Sequence, residues 1–164
     1  MIEALSQLRT KRPQARLLLA GDGPCRADLV ALAKKLGQQE AVLMPGFVQD
    51  VASVYAALDA FVFPSEFEGL GTALQAAMAL AIPAISTARG ALGEVVSTNK
   101  TALVVEPDGA EFAAAMQLLM EDPGLRRRLG QAGRQEVELR FSASRMVENT
   151  IKVYVEVLKD AAGR

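Results

Sequence analysis

The chain has 164 residues, enough for one substantial hydrophobic core. Its hydrophobic fraction is 51%, its charged fraction 23% and its formal net charge -1, which argues against a general nucleic-acid binder. The single cysteine, Cys25, excludes an internal disulfide, and with no histidine present it has no imidazole partner to make it a nucleophile.

The same two counts argue against a transition-metal site. No apolar run reaches the length of a membrane span, and no secretory leader is visible. The expectation is a soluble, cytoplasmic protein, with room for peripheral attachment to the inner membrane through a partner domain. The one local basic run, Arg126-Arg127-Arg128, is expected to be a solvated helix face.

In chain order, residues 1–11 predict a helix with Ile2, Leu5 and Leu8 on one face, stopped by Pro13. Ala15 to Ala20 is a continuous apolar run, expected as a strand buried on both faces. Gly21-Asp22-Gly23-Pro24 is a tight turn into a helix that Gly37 ends. A strand is expected over 41–44, then Pro45-Gly46-Phe47, then a helix capped by Asp50. A third strand covers 60–63. The loop from Pro64 to Gly71 enters a helix that ends near Leu80. Strands over 83–86 and 101–105 flank a short helix at 90–97. Three more helices follow, ending near Asp122, Leu139 and Asp160.

Alternating strands and helices predict an α/β fold, a doubly wound parallel sheet of about five strands with helices on both faces. No linker, repeat or low-complexity tract divides it, so residues 1–164 read as a single domain. In such a sheet, ligands bind beyond the carboxyl ends of the strands. Three glycine-bearing loops lie there. The glycines of Gly21-Asp22-Gly23 permit close backbone approach, but a plain turn explains them as well. In Glu68-Gly69-Leu70-Gly71-Thr72, free N–H groups at a helix start suit a diphosphate. The Glu68 carboxylate suits a neutral polyol such as a sugar, although Glu66 and Glu68 read equally well as solvated loop charges. The third loop is Gly90-Ala91-Leu92-Gly93-Glu94.

Five phrases in register carry a resemblance: LLLAGDGPCRADL (17–29), VLMPGFVQDV (42–51), AALDAFVFPSEFEGLGTALQAAMA (56–79), IPAIST (82–87) and ELRFSASRM (138–146). The chain resembles the C-terminal domain of group 1 retaining glycosyltransferases, whose GT-B architecture sets two Rossmann-like domains face to face. That resemblance implies a nucleotide-sugar donor (a UDP-, GDP- or ADP-sugar), with no cofactor and no metal required. It implies that Glu68 lies against the donor sugar and is the best catalytic candidate. It also implies that the amides of Gly69, Leu70, Gly71 and Thr72 lie near sugar and diphosphate, and that Val48 falls where backbone comes close to the nucleotide base; Gly21 and Gly23 complete the candidate donor-binding residues.

The sequence departs from the family in three places. The glutamate that holds the ribose hydroxyls falls at Ala76. Neighbouring Gln75 points roughly 100° away on a helix and is a poor substitute. Losing that charged partner costs about 1.5–3 kcal/mol of donor affinity. The loop at 90–94 has Ala91 where a second glycine is usual, and the Asp-Gly and Thr-Gly pairs usual before the fifth strand are here Thr98-Asn99 and Thr101-Ala102. Finally, the strand, Gly-Arg and Lys that open the family's domain, and the acceptor domain before them, have no counterpart, because Met1 already adjoins the first helix.

In this fold the first strand is central. Its absence is expected to leave two strand edges unpaired, so that the sheet rearranges, another chain fills the gap, or stability is marginal. A complete, unbroken sheet would contradict that expectation. The chain alone is expected to be inactive or nearly so. A degenerate, non-catalytic module for assembly or nucleotide sensing is the alternative, and a related two-domain hexose epimerase is a weaker third. In the last helix Met146, Val147, Thr150, Ile151, Tyr154 and Leu158 recur at helical spacing. This stripe either packs on the sheet or stays exposed and favours self-association.

Overall fold

The computed structural model describes residues 1–162. Five parallel strands alternate with eight helices: α1 (Ile2–Arg9), β1 (Leu17–Ala20), α2 (Arg26–Lys35), β2 (Val42–Gly46), α3 (Val51–Ala56), β3 (Phe61–Phe63), α4 (Thr72–Ala79), β4 (Ala84–Ser86), α5 (Leu92–Val95), β5 (Leu103–Val104), α6 (Gly109–Glu121), α7 (Pro123–Arg140) and α8 (Ala143–Ala162). Every expected element forms. The strands at 101–105 and 15–20 are shorter than their apolar runs, and β2 extends through Pro45 and Gly46.

The strands do not make one sheet. β1 pairs with β2, and β3, β4 and β5 form a separate three-stranded sheet in that order. No ladder joins the two sheets among the described residues, as expected for a sheet lacking its central strand. Helices bridge the interruption instead. Ile2, Leu5 and Leu8 of α1 share a core with Val42 of β2, Ile85 of β4, Leu103 of β5 and Phe112 of α6.

β4 shows how the strand period places helices on both faces. Its side chains alternate, so Ile85 joins that core while Ala84 joins a second one, with Leu74 and Met78 of α4, Leu92 and Val95 of α5, and Val137 of α7. Ala84, Ile85 and Ser86 are all fully buried.

Two sequence expectations need correction. β1 was expected to be buried on both faces, yet Leu17, Leu18 and Leu19 are half-buried and Ala20 is exposed. It has a strand partner on one side only, so its apolar residues lack the neighbours that cover a central strand. The arginine run is not merely solvated. Arg126 donates to the carbonyls of Leu119 and Met120, capping the last turn of α6.

The alternatives left open for the last helix resolve towards exposure. Met146, Val147, Ile151, Val153, Tyr154, Val157 and Leu158 of α8 are all exposed. A helix with so sharply sided a sequence has its apolar face unpartnered in this chain.

The end of α4 holds an irregularity that no glycine in the sequence announces. Ile82 N–H donates to the Ala77 carbonyl and Ala81 N–H to that of Met78, a Schellman ending with Ala81 in the left-handed region at φ 58. At Gly37 the same ending uses the residue that tolerates it. Ala81→Gly relieves about 1–2 kcal/mol of backbone strain and gives back part of it through a freer unfolded chain. The expected outcome is a net stabilisation of about 0.5–1 kcal/mol in denaturant unfolding.

Candidate donor-binding site

The loops after β3 and β4 are tied together at the carboxyl end of the three-stranded sheet. The buried Thr87 hydroxyl donates to the Ser65 carbonyl, and the Ala91 N–H donates to the Glu68 carbonyl at 3.2 Å. The Ser65 hydroxyl lies 3.3 Å from the Phe67 carbonyl oxygen and 3.4 Å from Oε1 of Glu68, within reach of either. Gly90 presses on this segment so closely that a Cβ there would sit 3.2 Å from the Glu68 carbonyl oxygen. Glu68 is half-buried, its carbonyl is held by Ala91, and Ser65 is the one side chain within hydrogen-bond reach of its carboxylate among the described residues.

The chain then turns into α4 through Gly71, which has φ 65 and is buried. A Cβ on Gly71 would lie 2.7 Å from Cδ2 of the fully buried Leu92. Both the torsion and the space require glycine there.

The peptide groups of this loop are unevenly satisfied by the protein. The carbonyls of Ser65, Phe67, Glu68, Leu70 and Gly71 accept hydrogen bonds from the protein. The N–H groups of Gly69, Leu70, Gly71, Thr72 and Ala73 donate to no protein acceptor among the described residues. These are the first orphan donors of α4 together with the loop amides that lead into it. Such a set can hold an anion or several hydroxyl oxygens, with the positive end of the helix dipole behind it.

The other residues expected at the site are differently placed. Gly21, at φ 122, spends its N–H on the Gly46 carbonyl at 2.8 Å, continuing the β1–β2 ladder. The Gly23 N–H is taken by the Asp22 carboxylate at 2.9 Å. Neither amide is free for a ligand in this conformation. Open space flanks both glycines, and they border a shallow cleft with Cys25, Arg26 and Met44. Val48, half-buried, lies in the loop between β2 and α3. Ala76 is half-buried on α4.

Three contacts lay outside the sequence reading. Gln75 Nε2 donates to the Leu70 carbonyl at 2.7 Å. Arg26 donates to the Met44 carbonyl at 2.9 Å, fastening α2 to β2. The Tyr55 hydroxyl donates to the Ala73 carbonyl at 3.0 Å, fastening α3 to the first turn of α4. Partial burial of that phenol pushes its pKa up. Only residue type pointed to any of these, because each joins segments that local periodicity does not connect.

α3, which follows the Val48 loop, has no buried residue and depends on its cap. The Asp50 carboxylate accepts from the Ser53 hydroxyl and from the Ser53 N–H at 3.2 Å. The Ser53 hydroxyl and then its N–H hold the Asp50 pKa below the usual carboxylate value.

The chain is similar in sequence and fold to known proteins. The family described as glycosyl transferases group 1 matches residues 1–136. A putative glycosyltransferase, EpsD, of Bacillus subtilis is 36% identical over 94% of this chain and 40% of its own length. Among solved structures, sucrose-phosphate synthase of Thermosynechococcus elongatus superposes with a TM-score of 0.84 at 29% identity, over 97% of this chain and 42% of that one. The C-terminal domain of a group 1 family protein from Francisella tularensis superposes with a TM-score of 0.78 at 26% identity, over 87% of this chain and 77% of that one. This protein belongs to the group 1 glycosyl transferases, and its fold is that of their Rossmann-like C-terminal domain. The chain spans about two-fifths of the length of EpsD and of the synthase.

Two outcomes follow. Gly71→Ala should destabilise the chain by about 1–3 kcal/mol, from the left-handed torsion and from displacement of Leu92, read as a lower denaturant midpoint. Because the Asp50 pKa is depressed in the folded state, its support of α3 is present above the unfolded carboxylate value of about 4 and is lost as pH falls through the folded value. Amide protection factors over 51–56, taken relative to the intrinsic exchange rate at each pH, should fall on acidification, and Asp50→Ala should show the lowered protection already at neutral pH.

Proposed function

We propose that this chain is the donor-binding domain of a retaining glycosyltransferase that acts with an acceptor-binding domain outside the chain. The donor is a UDP-, GDP- or ADP-sugar. The observation that supports this reading is the loop from Glu68 to Ala73, where the Glu68, Leu70 and Gly71 carbonyls accept from the protein while the N–H groups of Gly69 to Ala73 meet no protein acceptor among the described residues. Family membership adds sugar transfer as the chemistry.

In this reading the amides of Gly69 to Thr72 and the dipole of α4 bind the donor around its sugar–phosphate junction and stabilise charge on the departing diphosphate. The Glu68 carboxylate, kept on the opposite end of the loop, accepts hydrogen bonds from the sugar hydroxyls. Gly21, Gly23 and Val48 border the nucleotide. Fixed backbone dipoles cost little reorganisation as charge develops, which suits them to the task. The exposed apolar stripe of α8 is the surface that meets the acceptor domain, and self-association is its fallback when that domain is absent.

Ala76 gives the alternative a specific footing. Without a carboxylate at that position, ribose recognition is weakened, as in a module kept for assembly or nucleotide sensing. Calorimetric titration with UDP, GDP and ADP separates the two. The donor-domain reading expects saturable binding of one of them. With the matching nucleotide sugar, Glu68→Ala should lose the sugar's contribution, about ten- to a hundredfold in affinity, while the bare diphosphate binds unchanged. A folded chain that binds none of the three at millimolar concentration gives the lead to the non-catalytic module.

A further inference from the structure

The donor loop has a weak point at the peptide joining Leu70 to Gly71. In a trans peptide the C=O and N–H point in opposite directions, so fixing one fixes the other. Gly71 has no Cβ and sits at φ 65, so this peptide can rotate with little steric resistance. Rotation would exchange an N–H donor for a carbonyl acceptor on the ligand side of the loop. An anion or a sugar oxygen that the N–H attracts would then meet a lone pair.

One side chain opposes that rotation. Gln75, half-buried on the first turns of α4, donates from Nε2 to the Leu70 carbonyl at 2.7 Å. Its own backbone N–H donates to the Gly71 carbonyl at 3.0 Å. Gln75 therefore grips the carbonyls on both sides of the Gly71 amide. No other protein donor reaches the Leu70 carbonyl among the described residues.

We propose that Gln75 is a positioning residue that locks the Leu70–Gly71 peptide with its N–H turned towards the donor. This rests on the loop being the donor site. It assigns Gln75 a part distinct from ribose recognition, for which it is wrongly placed. The side chain acts through the backbone and touches no substrate.

The test uses the full chain and two variants. Gln75→Met keeps length and helix propensity but removes the donor. Gln75→Lys supplies a different donor. In the unliganded chain, the Leu70 carbonyl carbon resonance should shift in Gln75→Met and move back in Gln75→Lys. Titration with UDP-, GDP- and ADP-glucose should show about three- to tenfold weaker binding of the preferred donor in Gln75→Met, with an unchanged unfolding midpoint. A Gln75→Met chain that binds as tightly as wild type, or whose Leu70 carbonyl resonance does not move, overturns the lock alone. A folded wild-type chain that binds none of the three probes overturns the donor-site reading and the lock with it.

Discussion

Everything in this chain is organised around the burial of β4. It is the middle strand of the three-stranded sheet, and its residues alternate between the two hydrophobic cores. A strand covered on both faces must have a helix layer on each, so α1 and α6 lie on one side, and α4 and α7 on the other. The same strand carries the buried Ser86 and Thr87 at its carboxyl end. Buried hydroxyls need partners, and Thr87 finds one in the Ser65 carbonyl on the neighbouring loop. Core packing and site construction are thus continuous.

Helix contacts near β4 are close because small residues permit them. Gly130 of α7 lies where a Cβ would clash with the Ala81 carbonyl, and Gly133 approaches the Thr101 carbonyl and Met78. These glycines weaken the helix intrinsically, and the tight packing of α7 on the end of α4 offsets that cost. The same contact helps hold Ala81 in a conformation it does not favour. That end of α4 is closely packed, and the 68–72 loop enters at its other end.

The opposite half of the molecule is built more loosely. β1 and β2 form a sheet of two, which is marginal by itself and relies on packing against a larger body. α1 supplies that link through the core it shares with both sheets. The half-buried leucines of β1 and the exposed apolar face of α8 are surfaces for which this chain supplies no cover. Both are apolar area left without cover in a chain that spans about two-fifths of the length of its relatives.

The sequence by itself determined the order and kind of nearly every element. Apolar runs, glycine and proline punctuation and aspartate caps are local signals, and Asp50, Asp108 and Asp122 cap helices as aspartate does. It also marked the 68–72 loop, because glycines before a helix are legible in one dimension. The tertiary structure alone decided that the strands form two sheets, since pairing depends on which edges meet. It placed Ala81 in a left-handed turn, where its residue type gave no warning. It separated the amides of Gly21 and Gly23, already used by the protein, from those of Gly69 to Thr72, which meet no protein acceptor among the described residues. It turned Gln75 from a failed substitute for a carboxylate into the partner of the Leu70 carbonyl. Hydrogen-bond partnership is a property of three-dimensional neighbours, and residue order does not specify which neighbours those will be.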